Sequence, residues 1–407
     1  MHRRPFLQGA LALAGAAVSG RLFAAAPAGT PRLLLVFLRG GYDAASLLVP
    51  SSSSFYREVR PNIAIKGELP LDTDWGLHPA LAASVKPLVD KRQAVFVPFA
   101  GTHDLTRSHF ETQDSIELGQ PLEGRRDFAS GFLNRLAGVL DRNGSGGRDA
   151  IAFTDQLPLA FRGEVGVANL SLKGAPQKPD ERLRASLLAM YRDHPLQARV
   201  AESFDVRDEA ARQVAMAAPA ASASSSMVGE MEAANRNAIN AKGFELEARR
   251  IARLMRERYA LGFVDVGGWD THVGQGAATG YLASRLEELG RGLAGFAEEL
   301  GDAAWRNTTV VVLSEFGRTM RENGNRGTDH GHGSAHWVLG GSLSAAGPVV
   351  GEQKAVSAAT LNQNRDLPVL NEYRAWIGGL LMRQFALAPE QLGRVFPGAP
   401  PRDLDLL

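Results

Sequence analysis

The chain has 407 residues, of which 44% are hydrophobic and 22% charged, and its formal net charge is +1. This composition is ordinary for a globular protein and excludes a fibrous or wholly disordered chain. Because the chain has no cysteine, it cannot form disulfides or thiolate metal sites, and any metal would be bound by oxygen and nitrogen ligands.

The N-terminus has the pattern of an export signal. The pair Arg3 and Arg4 precedes a short apolar run, and small residues cluster at 24–28. We therefore expect residues 1–28 to be a signal peptide read by the twin-arginine translocase, with the general secretory route as the alternative. The mature protein would be periplasmic or secreted. Its net charge would be −2, and it has no basic stripe, so nucleic-acid binding is not expected.

Four apolar runs bounded by turn residues predict buried strands, and long amphipathic patterns between them predict helices. The strands are expected at residues 32–38, 94–98, 261–266 and 308–312. Such alternation predicts an α/β fold, a three-layer sandwich in which helices cover both faces of a mostly parallel sheet. We expect one domain over residues 29–407, with a mobile excursion around 217–226. No later run is apolar enough to be a stable membrane span.

Candidate metal ligands follow the predicted strands. Because ligand sites in parallel sheets lie at the carboxyl ends of the strands, these side chains are expected to meet at one edge. The densest cluster follows the last strand, where three histidines lie within seven residues. The candidate ligands are Asp43, Asp270, His272, Glu315, Asp329, His330 and His332. An ordinary turn or helix-cap role is the alternative for Asp43, and an ion pair with Arg318 is the alternative for Glu315.

Candidate catalytic groups lie in the same loops. Ser108 precedes a predicted helix with Glu111 three residues on, a capping-box pattern, but a hydroxyl at a helix N-terminus is also suited to attack phosphorus or sulfur. Thr106 is the alternative nucleophile. The planar guanidinium of Arg318 or Arg107 would match a phosphate or sulfate oxyanion. His103 and His109 are candidates to contact the substrate or to orient a ligand, and His336 is a further candidate metal ligand, with a surface histidine as the alternative.

Five motifs in this order resemble a family of twin-arginine-exported bacterial proteins, domain of unknown function 1501, placed with the alkaline phosphatase and sulfatase superfamily. They cover nearly the whole mature chain. The motifs are Arg39-Gly40-Gly41-Tyr42-Asp43, Arg107-Ser108-His109-Phe110, Gly268-Trp269-Asp270-Thr271-His272, Ser314-Glu315-Phe316-Gly317-Arg318-Thr319 and Gly327-Thr328-Asp329-His330-Gly331.

The resemblance implies an alkaline-phosphatase-like fold with one or two divalent metals, whether Zn, Mn, Mg or Ca. By motif order, Asp43 is similar to the superfamily's first acid ligand and Ser108 to its nucleophile. The resemblance therefore implies a metal-dependent hydrolase of small-molecule or glycan phosphate or sulfate esters. The alternatives are a phosphotransferase built from the same parts, a non-catalytic metal- or carbohydrate-binding protein, and an envelope scaffold.

Overall fold

A central sheet of nine strands organises the protein. The computed structural model describes residues 29–142, 150–172, 188–192, 197 and 234–407. The order across the sheet is β12 (Asn371–Glu372), β5 (Ala94–Gly101), β11 (Ser334–Gly340), β10 (Thr308–Ser314), β1 (Arg32–Leu38), β9 (Leu261–Gly267), β6 (Ala150–Ala152) and β7 (Ala168–Asn169), and β8 (Ile239–Asn240) pairs with β9. Within the described part of this sheet, the strand Ser334–Gly340 (β11) is the one that runs antiparallel to the others. The predicted signal peptide and the excursion around 217–226 lie outside the described residues.

The strands and helices have the following bounds. The strands are β1 (Arg32–Leu38), β2 (Leu48–Pro50), β3 (Leu69–Pro70), β4 (Trp75–Leu77), β5 (Ala94–Gly101), β6 (Ala150–Ala152), β7 (Ala168–Asn169), β8 (Ile239–Asn240), β9 (Leu261–Gly267), β10 (Thr308–Ser314), β11 (Ser334–Gly340) and β12 (Asn371–Glu372). The helices are α1 (Ala44–Leu47), α2 (Ser54–Glu58), α3 (Lys86–Asp90), α4 (His109–Leu118), α5 (Phe132–Arg142), α6 (Phe244–Glu257), α7 (Tyr281–Trp305), α8 (Tyr373–Phe385) and α9 (Pro389–Val395). A small antiparallel sheet is formed by β2, β4 and β3.

The sheet separates two hydrophobic cores, as the alternation of side chains along β1 shows. Leu34 and Val36 pack on one face with α6 and α7, whereas Leu35 and Phe37 pack on the other with α5, α8 and α9. A strand buried on both faces must be apolar at every position, which is the pattern that predicted it. The predicted fold class, a mostly parallel sheet with helices on both faces, is confirmed.

The topology brings the ends of three parallel strands together. β1 lies between β9 and β10 and is parallel to both. The chain leaves β1 through Gly40 and Gly41, whose φ angles are 120° and 62°. A Cβ at Gly40 would lie 2.8 Å from the backbone nitrogen of Asp270, so only glycine lets these two strand ends approach so closely. The loops after β1, β9 and β10 therefore share one edge.

The histidine-rich loop is shorter than expected, because Ser334 already begins β11. His336 lies in that strand, fully buried, and its ring centroid is 5.8 Å from that of Trp376. Neither ring nitrogen of His336 has a hydrogen-bond partner. Burial lowers the pKa of His336 to about 3, so the ring is neutral. The strand is formed because its backbone pairs on both sides, with β10 and with β5.

Among the described helices, none combines the length and the apolar character that crossing a lipid bilayer would require.

We expect replacement of His336 by leucine to reduce the acid sensitivity of folding. The pKa of His336 is lower in the folded chain than in the unfolded chain, so the unfolded state binds more protons below pH ~6.5. The wild type should therefore lose up to about 1.4 kcal/mol per pH unit through this group as pH falls. Urea unfolding at pH 7 and pH 5, with chelator present, measures the difference between His336→Leu and the wild type.

The exposed His103 provides a matched control, because His103→Leu makes the same chemical change at a solvent-exposed position. An identical pH dependence in wild type and His336→Leu would contradict the prediction.

Candidate metal centre

Three imidazole rings converge on the carboxylate of Asp270. His272 Nε2 lies 2.9 Å from Asp270 Oδ1 and 3.1 Å from His330 Nε2. His330 Nε2 lies 3.4 Å from the same oxygen, and His109 Nε2 lies 3.5 Å from Oδ2. The cluster combines the ends of three strands, because His109 follows β5, Asp270 and His272 follow β9, and His330 follows β10. We call these four residues the histidine cluster.

Each ring of the histidine cluster is held from behind by an acceptor at Nδ1. The Nδ1 atom of His109 lies 2.8 Å from Glu315 Oε1, that of His272 lies 3.2 Å from Asp329 Oδ1, and that of His330 lies 3.0 Å from the carbonyl oxygen of Arg107. Carboxylate and carbonyl oxygens only accept hydrogen bonds, so Nδ1 carries the proton in every ring. In the neutral rings, each Nε2 therefore presents its lone pair to the centre.

This arrangement fits a divalent cation. Metal-bound histidines almost always donate their other N–H to a carboxylate or carbonyl, which is the pattern found here. Tetrahedral coordination with bonds of about 2.0–2.1 Å would separate ligand atoms by roughly 3.3 Å. The ligand atoms of His109, Asp270 and His330 all lie within 4.8 Å of one another, and His272 Nε2 adds a fourth donor 2.9 Å from Asp270 Oδ1 and 3.1 Å from His330 Nε2. In addition, His109 Nε2 is buried without a hydrogen-bond partner, which a metal would supply. Nitrogen and oxygen donors of this kind suit Zn²⁺ and other transition metals.

Asp270 is held in its charged form from the opposite side. Burial disfavours its charge, but the three histidines and Arg318 outweigh burial and hold the pKa of Asp270 well below its usual range. The guanidinium of Arg318 donates from Nη1 to Asp270 Oδ1 over 2.6 Å and from Nε to the hydroxyl of Thr328. The Arg318 side chain is fully enclosed. The predicted contact with a substrate oxyanion would require Arg318 to leave these partners.

Two predicted ligands lie behind the rings rather than at the centre. Glu315 is fully buried, and its Oε1 accepts from the backbone N–H of Gly40 and the side chain of Gln113 besides facing His109. Burial opposes its ionisation, but these contacts lower the pKa of Glu315 to about 2. Asp329 faces His272 and accepts from Asn323. Both carboxylates therefore orient imidazoles.

His332, the last predicted ligand of the loop, is not among the residues that converge on Asp270. It is buried, and burial together with the charge of Arg107 lowers the pKa of His332 to about 4. The ring is thus neutral near pH 7. Among the described residues, one group of three or more potential ligands is close enough to hold a metal, and it contains His109, Asp270 and His330.

Asp43 lies in a separate buried network. Its carboxylate receives two N–H groups of Arg60, at 2.5 and 3.0 Å. It also accepts from Ser46 at 2.6 Å and from Gln275 at 2.7 Å. Ligation of a metal by Asp43 would require these donors to move. Asp43 also precedes the short helix α1, but its side chain makes no capping hydrogen bond, so the helix-cap role raised by the sequence is not seen either.

The predicted nucleophile stands beside the cluster. Ser108 precedes α4 as its N-cap, but its side chain makes no capping hydrogen bond, so the expected capping box does not form. Its neighbours Arg107 and His109 both contact the cluster. Arg107 has a φ of 54°, a left-handed conformation that side chains rarely adopt. Its guanidinium is bound by Asp366, with Nη2 3.0 Å from Oδ2.

His109 was not among the predicted metal ligands, and Arg60 was not among the predicted site residues. The sequence could have indicated His109, because it directly follows Ser108 at the start of α4, the helix that comes after β5. This places it at the same edge of the sheet as the other predicted ligands. No motif or spacing in the sequence indicates that Arg60 would contact the site. It lies in a polar stretch after α2, and only the tertiary structure brings it to Asp43.

The fold and the site together define an α/β protein with a cluster of three histidines and one aspartate at the carboxyl edge of its sheet. Residues 30–396 match the family described as "Protein of unknown function (DUF1501)", and the chain belongs to that family. The resemblance to this family noted in the sequence is thereby confirmed. No curated protein is significantly similar to the chain in sequence.

Several solved structures are similar to this chain at low identity. One is Ps i-CgsB in complex with k-i-k-neocarrahexaose, with 10% identity, 91% of this chain and 75% of that chain covered, and a TM-score of 0.39. A protein in the alkaline phosphatase superfamily from Vibrio parahaemolyticus shows 12% identity, coverage of 78% and 62%, and a TM-score of 0.35. The phosphonate monoester hydrolase of Agrobacterium radiobacter shows 15% identity, coverage of 92% and 79%, and a TM-score of 0.33.

We expect metal binding to release a proton from His109. Burial opposes protonation of this ring, but Asp270 and Glu315 outweigh it and raise the pKa of His109 to about 9 in the metal-free chain. Since a ligand must be deprotonated, the affinity for Zn²⁺ should rise up to about tenfold per pH unit between pH 7 and 9 through this group. Isothermal titration of the apo-protein in two buffers with different ionisation enthalpies counts the protons released.

The variant His109→Gln is the matched control, because it keeps a side chain of similar length without a titrating ring. It should bind Zn²⁺ more weakly and release about one proton less at pH 7.5. Equal proton release by both proteins would show that His109 is not a ligand.

Proposed function

We propose that the chain is an exported, metal-dependent hydrolase that acts on phosphate or sulfate esters of small molecules or glycans. One observation carries the proposal. Three histidines, each oriented through Nδ1, direct Nε2 towards the carboxylate of Asp270 at the carboxyl edge of the sheet. The N-terminal sequence pattern supports export through the twin-arginine translocase to the periplasm. The proposed domain organisation is one catalytic domain after residue 28.

In the proposed reaction, the hydroxyl of Ser108 is the nucleophile. A divalent cation bound by the histidine cluster would polarise the ester and stabilise the alkoxide form of a nearby hydroxyl. Ser108 has no capping hydrogen bond, so its oxygen is not engaged by the first turn of α4. The free N–H groups of that turn are suited to the negative charge that develops on the ester oxygens.

The proposed reaction has two steps. The bond between Ser108 Oγ and phosphorus or sulfur forms while the bond to the leaving alcohol breaks, and the alcohol takes up the proton that Ser108 loses. Water then hydrolyses the serine ester and releases phosphate or sulfate. Asp270 and the histidines would hold the divalent cation. Arg318 serves as a positioning residue, because its guanidinium fixes the carboxylate of Asp270.

One observation favours the alternative of a metal-binding protein without catalysis. Both arginines considered for oxyanion binding are engaged by carboxylates of the chain, Arg318 by Asp270 and Arg107 by Asp366. Of the two, Arg107 is the more accessible, since its side chain is 21% exposed whereas that of Arg318 is fully enclosed. We therefore assign any direct oxyanion contact to Arg107.

We expect Ser108→Ala to lower kcat/KM for aryl phosphates or aryl sulfates by more than about 10³-fold, because it removes the nucleophile. The metal content of this variant should be unchanged. The measurement is turnover of a panel of aryl esters by metal-loaded protein, with bound metal quantified on the same samples.

Thr106→Val is the matched control, since it removes a hydroxyl from the same loop. Loss of turnover in Thr106→Val with full activity in Ser108→Ala would transfer the nucleophilic role to Thr106. A metal-loaded wild type that turns over none of the esters would favour the non-catalytic alternative.

A further inference from the structure

Asp43 is the acid that follows the first strand, so the sequence assigned it to the metal site. In the structure its side chain is 1% exposed, and its two oxygens accept four hydrogen bonds. Oδ2 accepts three of these bonds, from Arg60, Ser46 and Gln275, and Oδ1 accepts the fourth from the other terminal nitrogen of Arg60. Oδ2 has no lone pair left, and a cation at Oδ1 would lie beside the buried guanidinium of Arg60, whose charge would repel it.

Arg60 is as completely engaged as the carboxylate that it binds. Its Nη1 donates to Asp43 and lies 3.3 Å from Ser46 Oγ, while its Nη2 donates to Asp43 and to the carbonyl oxygen of Thr319. Its Nε donates to the carbonyl oxygen of Met320 over 2.7 Å. All five N–H groups of the guanidinium thus have acceptors. The Arg60 side chain is fully enclosed, so the pair is closed to solvent and to ligands.

Gln275 separates this ion pair from the histidine cluster. Its amide nitrogen donates to Asp43, and its amide oxygen accepts from the hydroxyls of Thr271 and Thr328. This orientation is the one that chemistry permits, because a carboxylate can only accept and the nitrogen can only donate. Thr328 in turn accepts from Arg318. The amide of Gln275 and the hydroxyls of Thr271 and Thr328 therefore all have protein partners.

The other acids at the sheet edge are similarly committed. Glu315 Oε1 has three partners, and Oε2 lies 2.9 Å from Ser314 Oγ. By contrast, Asp270 has one protein donor outside the cluster, Arg318, and its remaining lone pairs face imidazole nitrogens. Of the three carboxylates of Asp43, Glu315 and Asp270, that of Asp270 is therefore the one available to a metal.

We infer that the centre is mononuclear and that Arg60 supplies, as part of the protein, the positive charge that a second metal ion would otherwise bring to Asp43. This inference rests on the proposed metal site. A guanidinium held by five acceptors neutralises the carboxylate permanently, whereas a bound ion would depend on its concentration. Any activation of the nucleophile would then come from one cation together with the N-terminus of α4.

The first experiment counts metal in the natively purified mature protein and in apo-protein dialysed against Mn²⁺. We expect 1 equivalent per chain by elemental analysis and an uncoupled six-line Mn²⁺ spectrum by electron paramagnetic resonance. Two equivalents, or an exchange-coupled spectrum, would overturn the inference while leaving the proposed function intact. Absence of bound metal would instead overturn the proposed metal site itself.

The second experiment tests Asp43 directly. Asp43→Asn alone would leave Arg60 buried without its counter-ion and is expected to unfold part of the chain. The double variant Asp43→Leu with Arg60→Met replaces the pair by apolar groups, and circular dichroism checks its fold. We expect it to retain one equivalent of Mn²⁺ with a Kd within about threefold of the wild-type value, whereas Asp270→Asn should raise the Kd more than about 100-fold. A folded double variant without bound Mn²⁺ would make Asp43 a ligand.

Discussion

The buried carboxylate of Asp270 is the charge around which the edge of the sheet is organised. The side chain of Asp270 is 9% exposed, and burying its charge is unfavourable by several kcal/mol unless opposite charges and hydrogen bonds offset the loss of water. Arg318 meets this carboxylate on one side and three imidazoles meet it on the other. The loops after β5, β9 and β10 are therefore held together by their shared contacts with the carboxylate of Asp270.

The acids at the sheet edge have three different roles. Asp270 faces ring nitrogens that a metal could share, whereas Glu315 and Asp329 stand behind rings and set their tautomers. Asp43 is satisfied by Arg60 and is closed to the centre. Four carboxylates that look equivalent in sequence thus differ because each meets a different set of donors, and donor sets decide whether an oxygen can bind a cation.

The loop before α4 joins the candidate nucleophile to the cluster through an unusual backbone conformation. Arg107 has a left-handed backbone, which costs on the order of 1–3 kcal/mol for a residue with a side chain. The ion pair of its guanidinium with the buried Asp366 and the bond of its carbonyl oxygen to His330 hold it in place. This conformation directs the carbonyl of Arg107 to the ring of His330, while the ring of His109, two residues on, faces Asp270. Ser108 lies between them.

The sequence alone determined the fold class and the edge of the sheet where the polar side chains meet. Apolar runs, glycines and helical periodicity are local properties, and they placed β1, β5, β9 and β10 and located Asp270, His272 and His330 at their carboxyl ends. The tertiary structure alone decided which acid faces the centre. Arg60 neutralises Asp43 and Gln113 engages Glu315 across 17 and 202 residues of chain. Such partners are fixed by packing between distant segments, and no local pattern records them.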